Sequence, residues 1–187
     1  KIKPVLVAIA LVPFAANAKD VPAFNRIATI EAVRMLPPDR DRTKRSIAEI
    51  VAATEDGNTL VYVDGEQNGL GFVDITEPAT PRPAGFLPLA GELTSVAVRG
   101  PRAYTVVDTS PNKREPSGYV AVVDIAAQRE LMRCALGGQP DSTVVSRDGR
   151  FLVVVIENER DERLDRGALP QLPAGFLSIL PIAGAGL

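Results

Sequence analysis

The sequence has 187 residues, with 21 basic and 23 acidic side chains, no histidine and a single cysteine, Cys134. This balanced charge gives no electrostatic footprint for nucleic acid, so we expect no nucleic-acid partner. Without histidine, these residues cannot build a Ser-His-Asp triad or a histidine-ligated zinc site. One cysteine cannot form a disulfide within the chain, and we interpret Cys134 as a small apolar packing residue rather than a reactive thiol.

The first eighteen residues have the pattern of a secretory signal peptide. Lys1 and Lys3 precede an apolar run over residues 4–16, and the small-x-small sequence that ends at Ala18 precedes a charged pair. We therefore predict cleavage after residue 18 and a periplasmic or secreted protein, with a retained membrane anchor as the alternative. No later apolar run reaches the roughly 20 residues that a membrane helix needs, so we expect no retained membrane span.

Residues 19–45 are predicted to hold one strand and a connection. Residues 24–33 alternate between apolar and polar side chains, which predicts a single strand with no partner in its own segment. A strand of this kind must pair with a strand edge elsewhere in the fold.

Residues 46–187 contain an internal repeat. The turn glycines Gly57, Gly100 and Gly149 lie 43 and 49 residues apart, which is about the length of one four-stranded propeller blade. Each repeat has a strand of small and β-branched residues, a glycine turn, a strongly apolar second strand, a third strand and, in the first two repeats, an outer fourth strand. We predict an all-β protein, a β-propeller of four-stranded antiparallel blades over residues 46–90, 91–138 and 139–181.

About three blades are fewer than a closed ring requires, because propellers have roughly four to eight. The third repeat also shows no fourth strand. We therefore expect an incomplete ring whose remaining blades belong to a longer chain, the alternative being that another chain supplies them. In many propellers an N-terminal strand completes the last blade and closes the ring, and we expect this role for residues 24–33.

Several pieces of the repeat resemble exported bacterial propellers of the phytase-like family, also called "esterase-like activity of phytase". The resemblance lies in residues 48–57, 69–75, 138–142, 146–150 and the acidic run 157–162. The family implies a propeller fold and hydrolysis of a phosphoric or carboxylic ester in a small molecule. Its members are longer than 187 residues.

Carboxylates follow the predicted strands at the end where a propeller channel opens. Calcium takes six to eight oxygen ligands, so these side chains are our candidates for a calcium site. The proposed ligands are Asp64, Glu66, Asp108, Glu157 and Glu159. Three further carboxylates near the starts of the inner strands are predicted to face the channel: Glu49, Glu92 and Asp141. The alternative is that these are solvated loop charges that pair with nearby arginines.

Two functions remain open from the sequence. One is a metal-assisted esterase or phosphoesterase, which requires carboxylates that converge on a cation. The other is a non-catalytic propeller that binds a protein or surface ligand through its channel-end loops, notably the long connection over residues 157–174.

Overall fold

The computed structural model describes residues 25–182, and within them the chain is almost entirely β-structure. Eleven strands in this range form three antiparallel sheets, accompanied by one short helix, α1 (Ala32–Met35), and a single 3-10 turn at residues 165–167. The all-β propeller prediction is confirmed. The predicted signal peptide lies outside the described residues, and no helix of residues 25–182 is long and apolar enough to cross a membrane.

The three sheets follow one another along the chain, and in each the strands pair in sequence order. The first sheet contains β1 (Ala48–Ala53), β2 (Thr59–Asp64), β3 (Gly69–Asp74) and β4 (Arg82–Pro88). The second contains β5 (Glu92–Arg99), β6 (Arg102–Asp108), β7 (Gly118–Asp124) and β8 (Arg129–Ala135). The third contains β9 (Pro140–Val145), β10 (Phe151–Ile156) and β11 (Phe176–Pro181). We call these sheets blade 1, blade 2 and blade 3.

The hairpin between the first two strands of each blade turns at a glycine. Gly57, Gly100 and Gly149 have φ angles of +72°, +53° and +70°, which side chains with a β-carbon rarely adopt. In blade 3 the Asp148 carboxylate also accepts hydrogen bonds from the Ser146 hydroxyl at 2.6 Å and the Arg150 amide at 3.1 Å. These turns fix the register in which the apolar side chains of β2, β6 and β10 face the neighbouring blades.

The blades stack face to face, with the inner strand β5 contacting both β1 and β9. Between blades 1 and 2 lies a core that includes Val61, Val63, Leu70 and Phe72, all at most 1% exposed. A second core lies between blades 2 and 3. Cys134 is half-buried at the edge of this second core, where it packs as an apolar side chain. Buried contact between large apolar sheet faces stabilises this arrangement.

The strand predicted over residues 24–33 is wrong for its described part. Residues 25–31 form no regular strand, and α1 begins at Ala32. The segment instead lies across the face of blade 1 that is turned away from blade 2, where Met35 packs with Tyr62 and Val73. Met35 is buried by this packing, whereas Ile27 is 68% exposed. Its ring-closing role stays a prediction.

Candidate functional site

One end of the blades gathers the beginnings of the inner strands and the connections between second and third strands. At this channel end, Gly65 lies close to two glutamate side chains. A β-carbon placed on Gly65 would be 3.5 Å from Glu49 Oε2 and 3.6 Å from Glu92 Cγ. Glu49 belongs to blade 1 and Glu92 to blade 2, so side chains of adjacent blades meet here.

The inner strands are irregular at this end. The β1–β2 register shifts between Ala48 and Val51, the β5–β6 register shifts between Leu93 and Ser95, and the β9–β10 register skips Asp141. Bulges redirect side chains and are common beside functional sites. In this protein they lie next to the predicted channel-facing carboxylates of all three blades.

Asp64 is a structural carboxylate. It is fully buried, and its oxygens accept hydrogen bonds from the Ser46 hydroxyl, the Ile47 amide at 3.0 Å and the Gln67 amide at 3.1 Å. The chain before β1 and the β2–β3 turn are thereby tied together. Asp64 therefore lies beneath the rim on which the sequence analysis placed it, with its acceptors already occupied.

The other predicted ligands lie on the surface of the channel end. Glu66 forms a 3.7 Å ion pair with Arg45, and Glu159 forms a 3.0 Å ion pair with Lys113. Asp108 accepts a hydrogen bond of 2.8 Å from the Ser110 amide, which starts the connection after β6.

Charges from all three blades influence each other at this end. Burial raises the pKa of Glu92, and the negative charges of Asp108, Glu49, Glu66 and Glu159 raise it further. The same holds for Glu157: burial raises its pKa, then Asp141 and Glu159 add to the effect, while Lys113 opposes it. We call this group the acidic mouth; it consists of Glu49, Glu66, Glu92, Asp108, Asp141, Glu157 and Glu159.

The acidic mouth does not form a compact metal cage. Within residues 25–182, no group of three or more Asp, Glu or Cys side chains is arranged so that it could hold a metal ion. These residues therefore do not fit a directly coordinated cation as they stand, and the calcium site stays a prediction.

Two long connections border the acidic mouth and are joined to each other. Besides the Lys113–Glu159 pair, Arg114 donates a 2.8 Å hydrogen bond to Asp161 and links residues 109–117 to residues 157–175. These basic partners were not identified from the sequence, because nothing local in a Pro-containing connection indicates which distant loop it contacts.

Gln171 organises the longer connection from within. Its side-chain oxygen accepts from the Asp161 amide at 2.7 Å, and its nitrogen donates to the Asp161 and Ala168 carbonyls at 3.0 and 3.2 Å. On this ordered loop Leu169 and Leu172 are 71% and 83% exposed. The loop therefore presents two apolar side chains to solvent beside an acidic surface.

Comparison with solved structures supports the fold. The chain is similar to Kuenenia stuttgartiensis hydrazine synthase, with a TM-score of 0.56 and 16% identity over 73% of this chain and 34% of that one. It is also similar to a functionally unknown protein from Desulfotomaculum acetoxidans, with a TM-score of 0.50 and 12% identity over 73% of this chain and 40% of that one. The chain thus spans well under half the length of either structure, and identities this low indicate the fold alone.

Sequence comparison gives the family. No curated protein matches the chain. The resemblance to phytase-like propellers is not confirmed, because the family whose pattern matches is the choice-of-anchor I domain, over residues 49–186. That match indicates a cell-surface or extracellular protein. The chain belongs to the choice-of-anchor I domain family.

Proposed function

We propose that this chain is a non-catalytic binding propeller of an extracellular protein, and that its acidic mouth binds a positively charged segment of a protein or surface ligand. The observation that carries the proposal is the gathering of carboxylates from three blades around Glu92, whose pKa is raised first by burial and then by the charges of these neighbours. Like charges held close together by a fold are a cost to the free protein, and a cationic ligand relieves that cost.

The distribution of countercharges supports this reading. Within the described residues, ion pairs reach two members of the acidic mouth, Glu66 and Glu159. The other five have no basic side chain within ion-pair distance in that range, so their charge is available to a ligand. A cleft lined by one sign of charge also attracts oppositely charged molecules from a distance.

The loops that border the acidic mouth add exposed apolar side chains, which a binding site also needs. The connection held by Gln171 presents Leu169 and Leu172 on a rigid base, and such exposed apolar side chains next to a polar rim are typical of interaction sites. The proposed ligand therefore combines positive charge with an apolar group.

Calorimetric titration with an oligolysine peptide tests the charge requirement, with a neutral glycine-serine peptide for comparison. We expect oligolysine to bind the wild type and the double variant Glu92→Gln, Glu157→Gln to bind about tenfold more weakly, since two attractive interactions of modest energy are lost. Glu77→Gln is the matched control, because Glu77 is exposed at the opposite end of blade 1. Equal affinities for all three proteins would contradict the proposal.

A calcium-assisted ester or phosphoester hydrolase is the second candidate. The observation in its favour is the raised pKa of Glu157, which burial raises first and the charge of Asp141 raises further, because a carboxyl group with a raised pKa suits proton transfer. Calcium titration, together with assays on p-nitrophenyl phosphate and p-nitrophenyl acetate, tests it. Saturable calcium binding with calcium-dependent turnover would favour the hydrolase. The absence of both calcium binding and turnover would contradict it.

A further inference from the structure

A pocket lies between the chain before α1 and the face of blade 1 that is turned away from blade 2. Its volume is about 330 Å³, at the lower end of the range of roughly 300–1,000 Å³ in which small-molecule sites fall. Its walls come from residues 27–30, from residues 48–51 in β1, and from Pro78 and Pro81 in the β3–β4 connection. Of the acidic mouth only Glu49 reaches this pocket, so the two surfaces are largely separate.

The lining of the pocket is mainly apolar. Three lining side chains are polar: Thr29, Glu49 and Tyr62. The buried lining residues Met35, Tyr62 and Val73 pack together in one cluster, whereas Ile27 and Val51 are 68% and 58% exposed. The pocket is therefore open to solvent at its rim and apolar in its buried part.

The hydroxyl of Tyr62 is a buried polar group without a partner. The residue is 3% exposed, and within residues 25–182 its hydroxyl oxygen is shielded from solvent and forms no hydrogen bond. Buried hydroxyl groups nearly always have a partner, because an unpaired one costs free energy. A bound molecule that forms a hydrogen bond with this hydroxyl would remove that cost.

The fold confines the Tyr62 ring. Tyr62 is paired with Gly71 on β3, and a β-carbon on Gly71 would collide with the Tyr62 ring. The ring therefore lies close against β3, an approach that glycine permits because it has no side chain. Met35 of α1 packs in the same cluster. Since the ring is held between β3 and α1, its hydroxyl cannot turn to a partner elsewhere.

The charges around the pocket select the kind of partner. Burial, and then the negative charge of Asp64, raise the pKa of Tyr62 to about 12, so the hydroxyl keeps its proton at neutral pH and can donate it in a hydrogen bond. The ligand must then supply the acceptor. The nearby carboxylates of Asp64 and Glu49 repel a negatively charged acceptor, whereas a neutral carbonyl oxygen meets no such cost.

We propose that this pocket binds a small neutral molecule whose apolar body fills the pocket and whose carbonyl oxygen accepts a hydrogen bond from the Tyr62 hydroxyl. A carboxylate of the same shape is excluded by charge, and a hydrocarbon of the same shape binds more weakly because it leaves the hydroxyl unpaired. This site lies on the outward side of blade 1 and does not depend on ligand binding at the acidic mouth.

Titration with acetophenone, followed through the NMR signals of the protein's methyl groups, tests the proposal. Ethylbenzene has a similar shape without the carbonyl, and benzoate carries a carboxylate in place of the ketone. We expect saturable shifts at Met35, Leu60 and Val73, with acetophenone binding about fivefold more tightly than ethylbenzene because it gains one hydrogen bond. Benzoate should cause no shifts at these methyl groups.

The variant Tyr62→Phe removes the hydroxyl and keeps the ring. It should abolish the preference for acetophenone over ethylbenzene and leave ethylbenzene binding unchanged. Without any probe it should melt no lower than the wild type, because no hydrogen bond of the protein is lost. Tyr104→Phe is the matched control and should keep the preference, since Tyr104 lies in the core between blades 2 and 3.

A second variant leaves the buried ring untouched. Val51 is the cross-strand partner of Tyr62, so the indole of Val51→Trp should occupy the pocket and abolish the shifts from both probes. Equal affinities of the wild type for acetophenone and ethylbenzene, or binding of benzoate as tight as that of acetophenone, would overturn the proposal. So would an unchanged preference in Tyr62→Phe, a Tyr62→Phe protein that melts several degrees below the wild type, or shifts confined to methyl groups outside the pocket.

Discussion

At the scale of single residues, carboxylates of similar sequence context have opposite roles. Asp64 and Asp108 both end the second strand of a blade, yet Asp64 is buried with three donors while Asp108 lies on the channel-end surface with one. The sequence predicted that both lie at the channel end, because topology decides that. The sequence could not predict that Ser46 and Gln67 would donate hydrogen bonds to the Asp64 carboxylate, because both residues lie in irregular segments.

Glu92 allows a test of the cost of the acidic mouth to stability. Its pKa is raised in the folded protein, so folding favours the protonated side chain and the charged form destabilises the fold as the pH rises above the usual glutamate range. We expect Glu92→Gln to raise the melting temperature at pH 7 by about 1–2 °C, a small effect because the side chain is solvent-screened.

The same measurement at low pH provides the control. Below the pKa of an ordinary glutamate, the wild-type side chain is protonated in both folded and unfolded states, so the two proteins should melt at nearly the same temperature. A Glu92→Gln variant that melts below the wild type at pH 7 would show that Glu92 is a stabilising partner, contrary to the crowding described above.

At the scale of elements, the strands were predictable and the N-terminal segment was not. The repeat of apolar strands and turn glycines was sufficient to predict the strands of each blade, because a two-residue side-chain period and a positive φ angle are local requirements. Residues 24–33 also alternate, but a strand needs a partner edge, and no local pattern shows whether one is present. In the described residues that segment packs on a sheet face instead.

The packing of α1 on blade 1 gives the prediction at this scale. Met35 is 6% exposed and covers Tyr62 and Val73, so Met35→Ala should lower the free energy of unfolding by about 2–4 kcal/mol through lost burial and a cavity. Urea unfolding followed by circular dichroism measures this change. Ile27→Ala, at a side chain that is 68% exposed, is the control and should cost less than about 1 kcal/mol. Similar costs for both would mean that α1 does not cover the blade as described.

At the scale of the whole molecule, three blades form an arc with one charged end and two unlike sides. The acidic mouth draws its carboxylates from all three blades, whereas the apolar faces are buried between blades and, within residues 25–182, uncovered beyond blade 3. Propellers commonly separate these roles in this way, with the blade faces providing stability and the loops at one end available for binding. The family match to the choice-of-anchor I domain indicates a cell-surface or extracellular protein.

The salt dependence of oligolysine binding tests the central claim most directly. Affinities of the wild type and of the Glu92→Gln, Glu157→Gln variant are measured over a range of sodium chloride concentrations at pH 7. If the acidic mouth is the binding site, the wild-type affinity falls more steeply with salt and the two proteins converge once the charges are screened. If the two proteins have equal affinities at every salt concentration, the peptide binds elsewhere, and this result would contradict the account.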